Sequence, residues 1–513
     1  MKKESDCALT SEETENALNR MIKQGVAVQI KTTLTESVFL VGFALLLQAP
    51  NTIIGILAAI PSVTQLLQIP SIVLIEKYRN RRRLNFFTQL GNRFGILFMA
   101  LIPFVAVGQI GLVFLIGAMT IQSVFTAIGS PSWNSWITDL VPSDRLGQFF
   151  SNRMALMGLM SIVASLLGGY FIGSWIAAAD PLDPNSQLSG YSVLFFVAFL
   201  FGMIAIYFTR TTPEPPMRTR QEKISYSKLL AEPFKDSNYR NLMIFSGVWG
   251  LSTSFAAPFF TVYLLDTDIL GLEVAFVAGL TALTQLTSVI FLRIWGRLTD
   301  RFSNKSILQV ALPLYVIGTF LWTFSSIARD YGFLIPLVIL IHILNGFAAA
   351  GVNLSTNNIG VRLAPRREVA SYLAAKGSIM AIMGTIAPIT AGILADLVGP
   401  HTIEFSISWL IGGELFTLIP TYRLSGIDFL FIISTVIGIY AIHRIALVKE
   451  PGEVKERVVL DALLAETRRN VRTVSTVDGL RQTFQVPLKV RKKSQGRKPK
   501  EPEPVGEEDN PSG

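Results

Sequence analysis

Long apolar runs alternate with short, charge-bearing connections along most of the chain. Runs at 54–60, 96–107, 193–207 and 333–344 each belong to a stretch near the ~20 residues that a helix needs to cross a hydrocarbon core. The pattern predicts twelve membrane spans, at roughly 31–49, 52–75, 84–107, 109–137, 148–177, 190–209, 241–265, 273–297, 306–327, 333–358, 369–395 and 425–447. Proline and glycine inside several spans are compatible with helices, because packed neighbours satisfy the freed backbone groups. Residues 210–240 interrupt the pattern with proline pairs and mixed charge. They read as a cytoplasmic linker between two six-helix bundles, 31–209 and 241–447. Residues 1–30 read as a cytoplasmic N-terminal segment. Residues 396–424 read as a long outer connection. Its Trp409, Leu410 and Phe416 either lie in the interface plane or belong to a shifted twelfth span. From 448 onward a short helical pattern (Val454, Val458, Leu463, Leu464) precedes a basic run, KVRKKSQGRKPK, and an acidic end. This cytoplasmic tail is expected to be largely disordered, and its basic run suits anionic lipid.

Composition agrees with an all-α integral membrane protein. Half of the 513 residues are hydrophobic and only 16% are charged, where a soluble protein carries about a quarter; mean hydropathy is +0.47. The net charge of +9 raises the question of nucleic acid, but its placement answers otherwise. Basic residues sit in alternate connections, at 79–83, 218–240, Arg301/Lys305 and Arg366/Arg367, with Arg329 and Arg423 as exceptions. The positive-inside rule then puts both termini in the cytoplasm, in a plasma (bacterial inner) membrane. One cysteine, Cys7, precludes an internal disulfide. The first twenty residues are too acidic and polar for a signal peptide, so the first span is expected to act as an uncleaved insertion signal. No phosphate-binding glycine loop, metal-ligand spacing or nucleophile elbow occurs in the chain. Neither an enzyme nor a cofactor nor a metal site is expected.

The two halves repeat one another. Glu76-Lys77-Tyr78-Arg79-Asn80-Arg81-Arg82 matches Asp300-Arg301-Phe302-Ser303-Asn304-Lys305-Ser306. At nearly the same offset, Ser132, Asn134, Leu140, Pro142, Phe149, Arg153 and Gly169 fall on Ser355, Asn357, Leu363, Pro365, Tyr372, Lys376 and Gly392. A doubled hydrophobic bundle with charged hairpins at matching points is the build of a rocking transporter.

These hairpins, in this twelve-span frame, resemble those of the major facilitator superfamily over about residues 31–447. Gly296-Arg-Leu-Thr-Asp300-Arg301 fits the family's G-x-x-x-D-R-x-G-R-R motif, which Lys77, Arg81 and Lys305 extend. The first copy is looser, with Ile72 for Gly and Glu76 for Asp. The stretch 131–153 looks like the loop joining spans four and five in many bacterial members. The family's antiporter signature is degraded to Ala164-Ser165-x-x-Gly168-Gly169 in span five and Ala387-Pro388-x-x-Ala391-Gly392 in span eleven, which counts against export by antiport. The resemblance implies that each hairpin lies beside a helix of the other half. Glu76 would then meet Lys376 and Asp300 would meet Arg153, a cytoplasmic gate closed while the outer side is open. The alternative is that these charges only snorkel. Asp139 and Arg145 are replaced in register by Arg362 and Glu368, a sign-swapped pair that suggests a brace within each half; solvated loop charges are the alternative.

Charges inside spans are costly and therefore informative. Glu36, among Thr32, Thr33, Thr35 and Ser37, is the first candidate for proton coupling, since desolvation favours the protonated carboxyl. A structural partnership with Arg93 is the alternative. His342 is the second candidate, or else a packing histidine. Gln65, Gln68, Gln122, Trp249, Thr253, Gln285, Asn345, Asn353 and Asn357 are candidates to line a substrate cavity, or to glue helices together. Few charges in that cavity would disfavour a strongly charged solute. The expected function is secondary active transport of a small solute by a monomer through alternating access, with proton coupling. The other reading is a transport-inactive receptor or assembly scaffold acting through the tail.

Overall fold

The computed structural model describes residues 10–106, 108–142, 145–180, 183–217, 232–366, 368–411 and 414–474. The chain divides into two units, residues 1–465 and 466–513. The second is described only as far as Val474, the end of the last helix. Cys7, linker residues 218–231, Arg367 and the basic and acidic runs of the tail lie outside the described residues.

The first lobe holds α1 (Ser11–Thr35), α2 (Ser37–Leu46), α3 (Asn51–Gln65), α4 (Gln68–Tyr78), α5 (Arg81–Val105), α6 (Gly108–Leu140), α7 (Leu146–Ala178) and α8 (Pro184–Thr211). The second holds α9 (Ser237–Leu265), α10 (Val274–Arg301), α11 (Asn304–Leu321), the short α12 (Ser325–Asp330), α13 (Leu334–Leu363), α14 (Val369–Val398) and α15 (Asp428–Ala446), followed by α16 (Glu456–Val474). Eleven helical segments are long and apolar enough to cross a membrane, and α3 with α4, bent by 43°, forms the twelfth. Pro70 accounts for that bend: it lacks the amide that would bond the Leu66 carbonyl, and its ring crowds that turn. Large side chains such as Phe104, Leu167 and Tyr170 stand exposed on the helix flanks, as lipid-facing surface requires.

Three boundaries differ from the expectation. The N-terminal segment is helical from Ser11, started by a capping box in which Thr10 and Glu13 exchange hydrogen bonds. Its Ala17, Leu18 and Met21 are buried against Trp136, Ile137, Leu140 and Phe149. The first span is thus the upper part of a helix that already belongs to the bundle. The tail is also ordered at its start. Val448, Val459 and Leu463 join the core of the second lobe, and Ser306 Oγ donates to the Val454 carbonyl at 3.1 Å.

The outer connection is an antiparallel β-hairpin, β1 (Thr402–Ile411) with β2 (Glu414–Ser425), irregular near Ile407. It is fastened to the bundle by a Ser326 hydroxyl bond to the Arg423 carbonyl at 3.1 Å and by Phe324 against Tyr422. Strand pairing satisfies its backbone outside the helices, and the twelfth span begins only at Asp428.

Both lobes solve the same local problem in the same way. Helices α5 and α11 begin in the repeated hairpins, capped by Asn80 and Ser303. Each still presents free amides, and in each lobe a glutamate just after the sixth span accepts them. Glu214 accepts from Arg81 N at 2.8 Å and Arg82 N at 3.1 Å; Glu450 accepts from Lys305 N at 2.7 Å and Asn304 Nδ2 at 2.9 Å. A carboxylate at a helix N-terminus gains both hydrogen bonds and a favourable dipole. This shared device ties the start of the third span to the end of the sixth.

Candidate functional site

The lobes meet tightly on the side that carries the β-hairpin. There α14 lies so close to α3 that a Cβ on Gly55 would stand 2.1 Å from the Pro388 carbonyl oxygen, and one on Gly392 2.4 Å from that of Asn51. Asp396 closes the seam by accepting from Asn51 N (2.9 Å), Thr52 N (2.8 Å) and Thr52 Oγ1 (2.6 Å). The pseudo-equivalent contact joins α7 to α10, with Ser165 Oγ donating to the Ala278 carbonyl at 3.1 Å and Gly169 against Ala278. The small residues at 164–169 and 387–392 therefore form two pseudo-equivalent lobe-to-lobe contacts of the closed side.

On the side of the linker the lobes part around a cavity of ≈ 570 Å³ between α3, α4, α6 and α14. Gln65, Gln68, Glu76 and Asp139 line it from the first lobe, Leu373 and Ser378 from the second. The bend at Leu66–Leu67 presents the two glutamines. The pairs expected to latch this side are not made. Lys376, deep in α14, donates to the Thr356 carbonyl. Arg153 turns into its own lobe, over the Trp133 ring at 4.5 Å and onto Gln24 Oε1 at 3.2 Å. Glu76 and Asp300 are exposed. A gap on this side is the physical reason, since the latch requires the helices to approach. The expected brace also gives way. Asp139 pairs with Arg81 at 2.5 Å rather than with Arg145, Arg145 pairs with Glu15, and Arg362 reaches Glu450 at 3.4 Å rather than Glu368.

Between the closed and open sides the first span is broken. Glu36 is extended and Ser37 sits at φ 52, a left-handed conformation costly for a residue with a Cβ. No side chain caps the first amides of α2. Glu36 thereby lines two spaces at once. One is an interlobe cavity of ≈ 270 Å³ bounded by Ser37, Leu57, Pro258 and Thr261. The other is a pocket of ≈ 390 Å³ within the first lobe, lined by Gln24, Lys31, Asn92, Arg93, Trp133 and Arg153 among others. Arg93 bonds to Asn92 Oδ1 at 2.6 Å rather than to Glu36, and Lys31 lines the same pocket as Glu36. Lys31 escaped the sequence reading because it marked the start of the span instead of lying within it. Low charge was expected in the interlobe cavity, where Glu36 is the one charged lining residue among the described residues; the first-lobe pocket is more highly charged.

A discontinuous first span beside the interlobe cavity, two lobes closed at one end and parted at the other, and a capping glutamate in each lobe make up a fold with known relatives. The model of the Major Facilitator Superfamily matches residues 26–388 and 242–456. The chain belongs to the Major Facilitator Superfamily. Similar solved structures include a point variant of the nucleoside transporter NupG (15% identity, TM-score 0.63, covering 84% of this chain and 100% of that one). A bacterial homologue of the human lysosomal transporter Spinster, inward-facing and occupied, shares 14% identity at TM-score 0.62, covering 86% and 97%. A bacterial homologue of the iron transporter ferroportin, also inward-facing, shares 13% at 0.58, covering 84% and 98%. At such identities these establish the fold alone. No curated protein matches the chain.

In this superfamily member the remaining candidates divide. His342 Nδ1 lies 2.7 Å from Thr284 Oγ1 and its ring packs edge-on against Trp322, which is helix packing between α10 and α13. Trp249 is buried against Tyr315, Thr253 bonds back to the Trp249 carbonyl, and Gln122 is buried under α5 with its carbonyl receiving Asn92. Asn345 is wedged against Gly318. Gln285, Asn353 and Asn357 are exposed; Gln65 and Gln68 alone of this set line the cavities described here. Of the motif residues, Arg81 is fully buried and bonded to Ser135, Asp139, Glu214 and Pro215, and Lys305 bonds the Ala446 carbonyl and Glu453. Lys77 and Arg301 lie over neighbouring rings. A Cβ at Gly296 would meet nothing within 4 Å.

Proposed function

We propose that this protein is a secondary active transporter that moves a small solute by alternating access, with Glu36 as the proton-coupling carboxylate. One observation carries the reading: the strained break at Ser37 in the first span puts Glu36 in the wall of both the interlobe cavity and the first-lobe pocket. A carboxylate there changes its charge in contact with whatever occupies the site, so protonation and solute binding are linked. The seam at Asp396 and the gap beside Glu76 support reading this as the inward-open half of the cycle. The Glu76–Lys376 and Asp300–Arg153 pairs belong to the opposite half, when the linker side closes. Basic hairpins on the linker side support the reading that this side faces the cytoplasm and that the protein sits in a plasma membrane.

The test is flux into proteoliposomes under an inward proton gradient, with uridine, alanylalanine, succinate and glycerol 3-phosphate as probes. At least one probe is expected to enter with protons. Glu36→Gln is expected to abolish gradient-driven accumulation while leaving solute exchange intact. Unchanged proton-driven uptake in Glu36→Gln removes Glu36 from the mechanism, and no flux with any probe removes the transport reading.

A further inference from the structure

We propose that the pocket inside the first lobe is an anion site, and that the transported solute carries a carboxylate or phosphate group that docks there. This assignment rests on the transporter reading and adds the class of solute to it.

Three cationic side chains line one pocket, against a single carboxylate, Glu36. They come from three different helices: Lys31 from α1, Arg93 from α5 and Arg153 from α7. Lys31 is 5% exposed and Arg93 4%, and the Arg93 Nε and Nη2 are closed off from solvent. Lys31 has no hydrogen-bond or ion-pair partner among the described residues. Arg93 gives one nitrogen to Asn92 Oδ1 at 2.6 Å, and its Nε and Nη2 have no partner. Buried charges are ordinarily paired and buried donors ordinarily satisfied. Here one carboxylate faces three cations, a formal surplus of two positive charges. Arg153 is held in place by Gln24, Trp133 and a Gly25 that leaves it room. Its guanidinium is therefore positioned before any ligand arrives.

A bound anion is the group that resolves all of these deficits together. A carboxylate or phosphate presents several acceptor oxygens to unsatisfied guanidinium donors and an ammonium. A cationic solute would add to the surplus, and a neutral one would leave the charges unpaired. Glu36 at the rim gives the site its link to protons: with Glu36 neutral the pocket holds one more net positive charge, so anion binding and protonation favour each other.

The test uses the full-length protein in phosphatidylcholine nanodiscs, titrated with inorganic phosphate, succinate, glycerol 3-phosphate, uridine and dihexanoyl phosphatidylglycerol. A soluble anion is expected to bind, with at least tenfold weaker affinity in both Lys31→Gln and Arg93→Gln. Uridine is expected not to bind. Arg153→Lys serves as the check should a deletion of charge misfold, and is expected to weaken the same anion while keeping the cation count. Binding of phosphatidylglycerol alone makes the pocket a lipid-headgroup seat and overturns the proposal. So does an affinity that none of the three substitutions moves, or the absence of binding by every soluble anion. Flux separates this failure from failure of the transporter reading. Uridine flux indifferent to Arg93→Gln keeps the transporter and removes the anion site; anion binding without flux keeps the site and removes the transporter.

Discussion

Removing the Asp396 carboxylate should release the closed side. In Asp396→Ala three hydrogen bonds to Asn51 and Thr52 disappear, at 2.6–2.9 Å in the intact protein. Each is worth about 1 kcal/mol net. The groups are exposed, so water re-solvates the freed amides and screening trims the sum to ~2 kcal/mol. At 1.4 kcal/mol per decade that is a roughly 30-fold shift of population away from the closed seam. Thr261, which lines the interlobe cavity, reports the shift. In a Cys7→Ala background, Thr261→Cys should react with a membrane-impermeant maleimide added on the β-hairpin side up to 30-fold faster once Asp396 is gone. Asp396→Asn keeps one acceptor and should fall between. Gly392→Leu gives an independent route to the same opening, because its Cβ would meet the Asn51 carbonyl at 2.4 Å and backbone there cannot yield cheaply. Labelling of Asp396→Ala within twofold of the parent would refute the reasoning that this seam holds the outer side shut.

Three further outcomes follow from the same contacts. Arg81→Gln strands Asp139 and Glu214, which both face a fully buried guanidinium. It should lower stability by about 3 kcal/mol in mixed-micelle SDS titration, and the cycle with Glu214→Gln should show at least ~1 kcal/mol of coupling; simple additivity would show that the pair is not energetically linked. Glu450→Gln weakens the equivalent cap of α11 and should cost roughly 1–2 kcal/mol by the same titration, with no change in stability counting against a shared device in the two lobes. Ser37→Gly removes a Cβ from a left-handed residue. It should leave stability unchanged or raise it by up to ~1 kcal/mol, and a loss of more than that would mean the Ser37 side chain, not its strain, matters.

Much of this architecture was legible in the chain because membrane burial writes long signals. Twelve apolar stretches and a doubled hairpin survive any uncertainty of boundary; the small residues at 164–169 and 387–392 stood out only as a degraded signature, and the structure shows them at lobe contacts. What was lost was local. Lys31 and residues 11–30 were set aside because a polar, charged stretch reads as solvated, whereas the tertiary neighbours Trp136 and Phe149 bury one stripe of it. The β-hairpin did leave a trace: Ile403, Phe405, Ile407 and Trp409 alternate, and Gly412-Gly413 separates them from a second β-rich run, a two-residue hairpin signal. Ion-pair partners were the least legible, because Arg81, Asp139 and Glu214 are brought together by three different segments, and nothing in spacing announces that.

The capping glutamates still connect sequence to mechanism. A Glu-Pro pair follows the sixth and twelfth spans, at 214–215 and 450–451, and in each lobe that glutamate binds the start of the third helix. The tie lies within a lobe and never across the seam. It stiffens each bundle at its linker end, so under the proposed alternating access a change at Glu36 is expected to appear as relative tilt of the lobes rather than as loosening of the hairpins. Lobe-to-lobe contacts, by contrast, are close glycine approaches, apolar packing and the side-chain hydrogen bonds of Asp396 and Ser165, which a bound solute is expected to outweigh under the proposed cycle. Strong bonds inside the lobes and weak ones between them are the condition for rigid-body rocking. Severing Glu214 and Glu450 together should therefore uncouple Thr261 labelling from solute addition even where binding persists.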